Sequence, residues 1–128
     1  MTKCPALCII AQVMEMEKIL EQALLYDFYG ELLTEHQKQV YEDVVFGDLS
    51  LSEAAEAHGI SRQGVHDLVR RCDKALREYE EKLGLVRKFE KTRNLLKEIH
   101  RLAGEFEETG NRECVRKIAG LSEEIGEL

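Results

Sequence analysis

The sequence predicts an all-α protein, and three observations carry that expectation. Leu, Glu, Lys, Arg, Ala and Gln, all strong helix formers, fill the middle of the 128-residue chain. The single proline is Pro5, so no ring interrupts a helix beyond it. β-Branched residues are scattered and form no alternating runs of the kind a half-buried strand needs.

Each element has its own signal. A first helix is expected from about Glu15 to Leu33, where Leu20, Leu24, Phe28 and Leu32 recur every four residues. Leu25, Tyr29 and Leu33, one step round, widen that apolar face. Thr34 to Gln37 reads as a capping box, in which the threonine oxygen and the glutamine side chain satisfy the first free amides. The second helix turns Val40, Val44 and Val45 inward and stops at Gly47-Asp48. Ser50 to Glu53 is a second capping box, opening a short third helix with Leu51, Ala54 and Ala55 on one side. It ends at His58-Gly59, and Ser61 caps a fourth helix that reads through to Leu83 before Gly84 closes it. A fifth helix is expected from Leu85 to about Glu108, then a Thr109-Gly110-Asn111 turn. A last helix follows with Val115, Ile118, Ser122 and Ile125 on one stripe. Links this short force neighbouring helices to pack on each other.

This order divides the chain in three. Residues 1–15 are set apart as an N-terminal extension, disordered or preceding the native start, with no expected function. Residues 16–84 form a helix-turn-helix domain, its turn at 58–61 and its recognition helix at 62–83. Residues 85–128 form a C-terminal helical hairpin expected to serve oligomerisation.

The formal net charge of −7 excludes a protein that coats nucleic acid indiscriminately. Its distribution is uneven. Residues 1–60 hold 3 Lys/Arg against 11 Asp/Glu and residues 102–128 hold 3 against 7, whereas residues 61–101 hold 12 against 7. A basic block in an acidic chain is the footprint of a localised anionic partner. An ordinary solvated helix surface with pairs such as Glu78–Lys82 is the competing reading for the later part of that block.

Other chemistry finds little support. Cys4 and Cys8 lack a second pair of ligands for a tetrahedral metal site, and Cys72 falls on the buried side of a helix. All four cysteines, Cys114 included, read as free thiols in a reducing cytoplasm. His36, His58, His66 and His100 form no metal-binding or triad pattern, and no glycine-rich phosphate loop occurs. No enzyme, metal or cofactor is expected. No apolar run approaches the ~20 residues of a membrane span, and the first fourteen residues make a poor signal peptide. Tyr26, Phe28 and Tyr29 could stack on bases, but their helical spacing beside Leu24, Leu25 and Leu32 favours core positions.

The strongest pattern lies between Leu51 and Arg70. Small Ala55 sits where two helices cross closely, and Gly59, four residues later, supplies a sharp turn with positive φ. Ile60, Val65 and Leu68 plug the second helix onto the first. On a wheel of the fourth helix, Val65, Leu68, Val69, Cys72 and Leu76 gather on one side. Arg62, Gln63, His66, Arg70, Lys74 and Arg77 gather on the other, with Asp67 and Asp73 among them. Arg62 and Gln63 stand at the N-terminal end, where guanine and adenine edges are reached in a major groove. Arg70, Arg71 and Lys74 are placed for phosphates. Gly64 is an oddity, since glycine inside a helix costs about 1 kcal/mol against alanine.

Leu24–Gly30, Leu32–Gln37, Asp48–Glu53, Ser61–Asp67 and Tyr79–Leu85 together closely resemble the YlxM/p13 family of bacterial DNA-binding proteins, over about Met16 to Phe106. The resemblance implies a fold similar to the fourth, promoter-reading region of sigma factors, with additional C-terminal helices. It implies duplex DNA as partner and a regulatory part in the signal recognition particle pathway. The alternative it leaves is a non-enzymatic adaptor for that particle's RNA or GTPase. Ala54-Ala55 and Gly64 are smaller than the Ile-Ala and Ala of the family pattern, which predicts looser packing there.

Assembly is the last expectation. Phe89, Thr92, Leu96, Ile99, Ala103 and Phe106 alternate by three and four, a heptad-like seam. A homodimer held by Phe89, Leu96, Ile99 and Phe106 is expected, because a lone helix-turn-helix reads few base pairs. The competing arrangement folds helix six back over helix five.

Overall fold

The computed structural model describes the backbone from Pro5 to Leu128 and the side chains from Glu15 onward. Cys4 and the Cys8 side chain lie outside the described residues, as does the start of the N-terminal extension. Six helices follow in order: α1 (Pro5–Tyr29), α2 (Glu35–Tyr41), α3 (Leu51–His58), α4 (Arg62–Leu83), α5 (Leu85–Thr109) and α6 (Arg112–Gly126). No strand occurs among the described residues, so the protein is all-α. The chain forms two compact units that divide between Leu83 and Gly84.

In the first unit α4 is the axis, packed on by α1, α2 and α3. α1 begins at Pro5, ten residues before the expected Glu15; proline is well tolerated in a first turn, where its missing N–H has no partner to lose. It ends at Tyr29, and Gly30–Leu32 tightens into a 3-10 turn instead of continuing to Leu33. Gly30 explains the stop. It is a poor helix former, and a Cβ there would stand 3.0 Å from the Tyr26 ring. The buried row of α1 is Leu25 and Tyr29, continued by Leu33 beyond the turn; Leu20 and Leu32 are 62% and 56% exposed. Of the two apolar rows in the sequence, the one-step-round row is the one that packs.

Both capping boxes are present. The Gln37 N–H donates to Thr34 Oγ1 at 3.2 Å while the Thr34 N–H donates to Gln37 Oε1 at 3.0 Å. The Glu53 N–H likewise donates to Ser50 Oγ at 3.1 Å, with Glu53 Oε2 accepting in return from the Ser50 N–H. Between the boxes α2 does not run on to Gly47. It widens into a π turn over Glu42–Phe46, closed by the Gly47 N–H donating to Glu42 O at 2.8 Å. Asp48 then takes a left-handed φ of 57°, which a short polar side chain tolerates better than most.

The core beneath the turn is Val40, Ala54, Ala55 and Val65, with Val44, Leu49, Leu51, Ile60 and Leu68 packed around it. Cys72 and Leu76 continue the buried side of α4. One polar tie crosses the unit. Asp73 of α4 accepts from Gln22 Nε2 of α1 at 3.1 and 3.2 Å and from the Tyr41 hydroxyl of α2 at 2.7 Å. The wheel put Asp73 on the outer basic face, and that placement is corrected here: its carboxylate is turned inward. Of the three aromatic residues expected in the core, Tyr29 is almost wholly buried, Tyr26 is half-buried and stacks on Tyr41 at 5.5 Å, and Phe28 is 38% exposed, so the core reading does not hold for Phe28.

The second unit is the α5–α6 hairpin. Gly110 turns it with φ 66°, and Asn111 caps α6 by accepting from the Glu113 N–H at 3.0 Å. Val86, Leu95, Ile99 and Leu102 of α5 and Cys114, Ile118, Leu121 and Ile125 of α6 are its buried and half-buried apolar residues. The α6 stripe read from the sequence is therefore off by a step: Val115 is 49% exposed and Ser122 lies outside. Cys114 and Leu121 take their places. The hairpin, the competing arrangement for the seam, forms and half-buries Ile99, while Phe89, Leu96 and Phe106 remain exposed.

Candidate nucleic-acid interface

The interface is built from α3, a tight turn and the first half of α4. Gly59 ends α3 at φ 66° and ψ 30°, its N–H donating to Ala55 O, and the Ile60 N–H donates to the same carbonyl at 3.1 Å. No Cβ contact lies within 4 Å of Gly59, so its requirement is backbone conformation and not space. Ser61 Oγ accepts from the Gly64 N–H at 2.9 Å and starts α4. A Cβ on Gly64 would stand 3.0 Å from that hydroxyl, so the glycine makes room for the cap.

The end of α3 is pinned from the side. His58 Nε2 lies 2.7 Å from Asp43 Oδ2 of the π turn, and the His36 ring meets the His58 ring edge-on at 5.9 Å. Two histidines without a catalytic pattern thus brace the helix that supports α4.

Arg62, Gln63, His66, Arg70, Arg71 and Lys74 are all solvent-exposed on α4. Arg62, Arg70 and Arg71 make no ion pair among the described residues. Lys74 is 79% exposed and only 4.0 Å from Glu78, a weak surface pair. Gln63 is engaged: its Nε2 donates to Asp67 Oδ1 at 3.1 Å, and His66 Nδ1 stands 3.8 Å from the same oxygen. Asp67 therefore acts as a local acceptor that holds the amide Gln63 would need for a base edge.

Beside this row α1 and α4 enclose an open groove of about 810 Å³. Arg70, Arg71, Lys74 and Arg77 line it from α4 and Lys18 from α1, with Asp67, Asp73, Glu78 and Glu81 tempering the charge. Arg77 also reaches Glu21 of α1 at 4.0 Å. Lys18 is the residue that sequence reasoning missed. Its signal was its isolation, as no other Lys or Arg occurs between Lys3 and Lys38. No helix among the described residues is long and apolar enough to cross a membrane.

Comparison with known proteins agrees with this geometry. Residues 16–113 match a family described as "Putative helix-turn-helix protein, YlxM / p13 like". A UPF0122 protein of Symbiobacterium thermophilum is 46% identical over 84 residues, 66% of this chain and 78% of that protein. A UPF0122 protein of Desulforamulus reducens is 42% identical over 102 residues, covering 80% of this chain and 87% of its own length. One of Acetivibrio thermocellus is 49% identical over 84 residues, 66% of this chain and 72% of that protein. The match takes in the capped α3, the Gly59 turn and the whole of α4, and the chain belongs to the YlxM / p13-like UPF0122 family of helix-turn-helix proteins.

Proposed function

We propose that this protein binds duplex DNA through α4 and acts as a cytoplasmic, non-enzymatic regulator. The observation that carries the reading is the exposed row Arg62, Gln63, His66, Arg70, Arg71 and Lys74, placed on the helix that follows a left-handed glycine turn. Arg62 and Gln63 sit where a helix entering a major groove meets base edges, and bidentate pairing there discriminates bases by about 1–3 kcal/mol. Arg70, Arg71 and Lys74 contact phosphates, which fix register without reading sequence. The family resemblance supports a place in the signal recognition particle pathway, and pairing of two copies supplies a second half-site.

Anisotropy titration of the full chain against duplex DNA and a structured RNA, at two salt concentrations, tests the reading. Arg62→Ala with Gln63→Ala is expected to cost roughly 10-fold or more in affinity for a preferred duplex, with random-sequence affinity much less affected. Duplex binding that survives both substitutions, with loss of binding to the particle's RNA or GTPase instead, makes the protein an adaptor for those components.

A further inference from the structure

Between Leu85 and Lys97 the chain holds Arg87, Lys88, Lys91, Arg93 and Lys97 against a single acid, Glu90, and all six side chains are exposed. This stretch is the N-terminal half of α5 and belongs to the second unit, apart from the helix-turn-helix. The C-terminal half of the same helix behaves differently. Arg101 is tied to Glu98 at 2.6 Å and to Glu105 at 3.2 Å, and on α6 Arg116 lies 3.7 Å from Glu113. Lys88, Lys91, Arg93 and Lys97 have no such pair among the described residues, although acids outnumber bases in the chain as a whole.

That arrangement opposes local helix stability in two ways. α2, α3 and α6 each begin with an acid, Glu35, Glu53 and Glu113, as the positive end of a helix dipole favours. α5 has no acid in its first turn and no side-chain cap, and it places Arg87 and Lys88 there. Lys88 with Lys91 and Arg93 with Lys97 are like charges at i,i+3 and i,i+4, each mildly destabilising. A bound polyanion removes both penalties. At ~100° per residue, Glu90, Arg93 and Lys97 fall on the face turned away from Leu95, Ile99 and Leu102. Lys88 and Lys91 lie at the angles of the hairpin-facing side, one to two turns before Leu95, and both are exposed. Exposed cations thus stand on opposite sides of this half of the helix, a distribution suited to phosphate backbone and not to a base edge.

We infer that the N-terminal half of α5 is a second phosphate-contacting surface, carried by the second unit and independent of the α4 row. This rests on the reading of the protein as a nucleic-acid binder, and it adds contacts that carry no sequence information. The experiment replaces Lys88, Lys91, Arg93 and Lys97 together by Gln in the full chain. It follows Kd for a preferred duplex, a random duplex and an RNA hairpin as salt is raised. Each lost phosphate contact lowers the magnitude of the log–log salt slope by about 0.9 on B-DNA, so a drop of about two to four is expected, equal for both duplexes. The charge-preserving set Lys88→Arg, Lys91→Arg, Arg93→Lys and Lys97→Arg keeps the slope. So does Arg116→Gln with Lys117→Gln on α6. Low-salt melting of the Gln variant should be unchanged or raised, because like-charge repulsion has been removed. A slope left unchanged on every nucleic acid overturns the inference while leaving α4 binding intact. Should duplex DNA not bind at all, the function proposed above fails, and a slope drop on the RNA hairpin alone would still uphold this surface. Binding to none of the three overturns both.

Discussion

At the scale of single residues, the turn between α3 and α4 depends on one backbone angle. Gly59 holds φ 66° in open space, so alanine there meets only the left-handed penalty, about 1–2 kcal/mol. Gly59→Ala should cost about 1–2 kcal/mol in urea unfolding, and Gly59→Asn less; equal losses would show that space and not conformation matters. Gly64 poses the opposite case. Alanine gains about 1 kcal/mol of helix propensity but crowds the Ser61 hydroxyl that caps α4, so Gly64→Ala is expected to be nearly neutral in the same measurement. Asp67 is the residue whose removal should strengthen binding. It holds Gln63 and stands near His66 on the exposed face, so Asp67→Ala frees the amide and removes a negative charge. Duplex affinity is expected to rise several-fold in an anisotropy titration, and a fall would mean that Asp67 positions Gln63 for its target. Such local chemistry was largely legible in the sequence: the glycine turn, the caps and the exposed Arg62 and Gln63 follow from neighbours within four residues. Asp73 was not legible, because its partners Gln22 and Tyr41 lie 51 and 32 residues away.

At the scale of elements, α4 owes its orientation to what crosses it. Tyr41 of α2 and Gln22 of α1 meet on Asp73, so three helices share one carboxylate. Tyr41→Phe removes the 2.7 Å bond to a charged acceptor and is expected to cost about 1.5–3 kcal/mol in urea unfolding. A cost near zero would show that Gln22 alone satisfies the group. Cys72, one residue before Asp73, gives the element a pH dependence. Burial, helped by the Asp73 charge, pushes its thiol up from 9.0 to about 11. Above pH 9 the unfolded chain ionises this thiol while the folded chain keeps it neutral, so stability falls as pH rises toward 11. The stability gap between the native chain and Cys72→Ala should therefore narrow between pH 8 and pH 10. A constant gap would place the thiol in a far less apolar setting. Helix identities and caps could be read ahead of the structure because they are local. The row of α1 that packs, the inward stripe of α6 and the π turn after α2 could not. Each is decided by which neighbour covers the element, and a wheel offers two adjacent rows with equal claim.

At the scale of the whole molecule, an acidic chain carries basic charge on two helices, one in each compact unit, and the assembly reading must leave both uncovered. α5 allows this. Its α6-facing side is taken by Leu95, Ile99 and Leu102, and its outer side is cationic. Between these sides Leu96 remains 53% exposed, with Phe89 at 43% and Phe106 at 38% along the same helix. The α6 hairpin thus satisfies only part of the seam read from the sequence, and the apolar strip left over is where the proposed pairing of two copies would form. Two copies joined there would form an isologous pair, the commonest symmetry for a small oligomer. Two copies so joined would carry two α4 helices, one for each half-site. The expected result is a dimer mass in light scattering at tens of micromolar. Leu96→Glu or Phe106→Glu should convert it to monomer without unfolding it, as both side chains are already largely solvated. Duplex affinity should fall together with the dimer, because each monomer keeps only one reading helix. A monomer mass for the unaltered chain would end the dimer reading. A dimer that survives both substitutions would move the interface off α5, and the exposed Met16, Ile19 and Leu20 of α1 would be the next apolar surface to test.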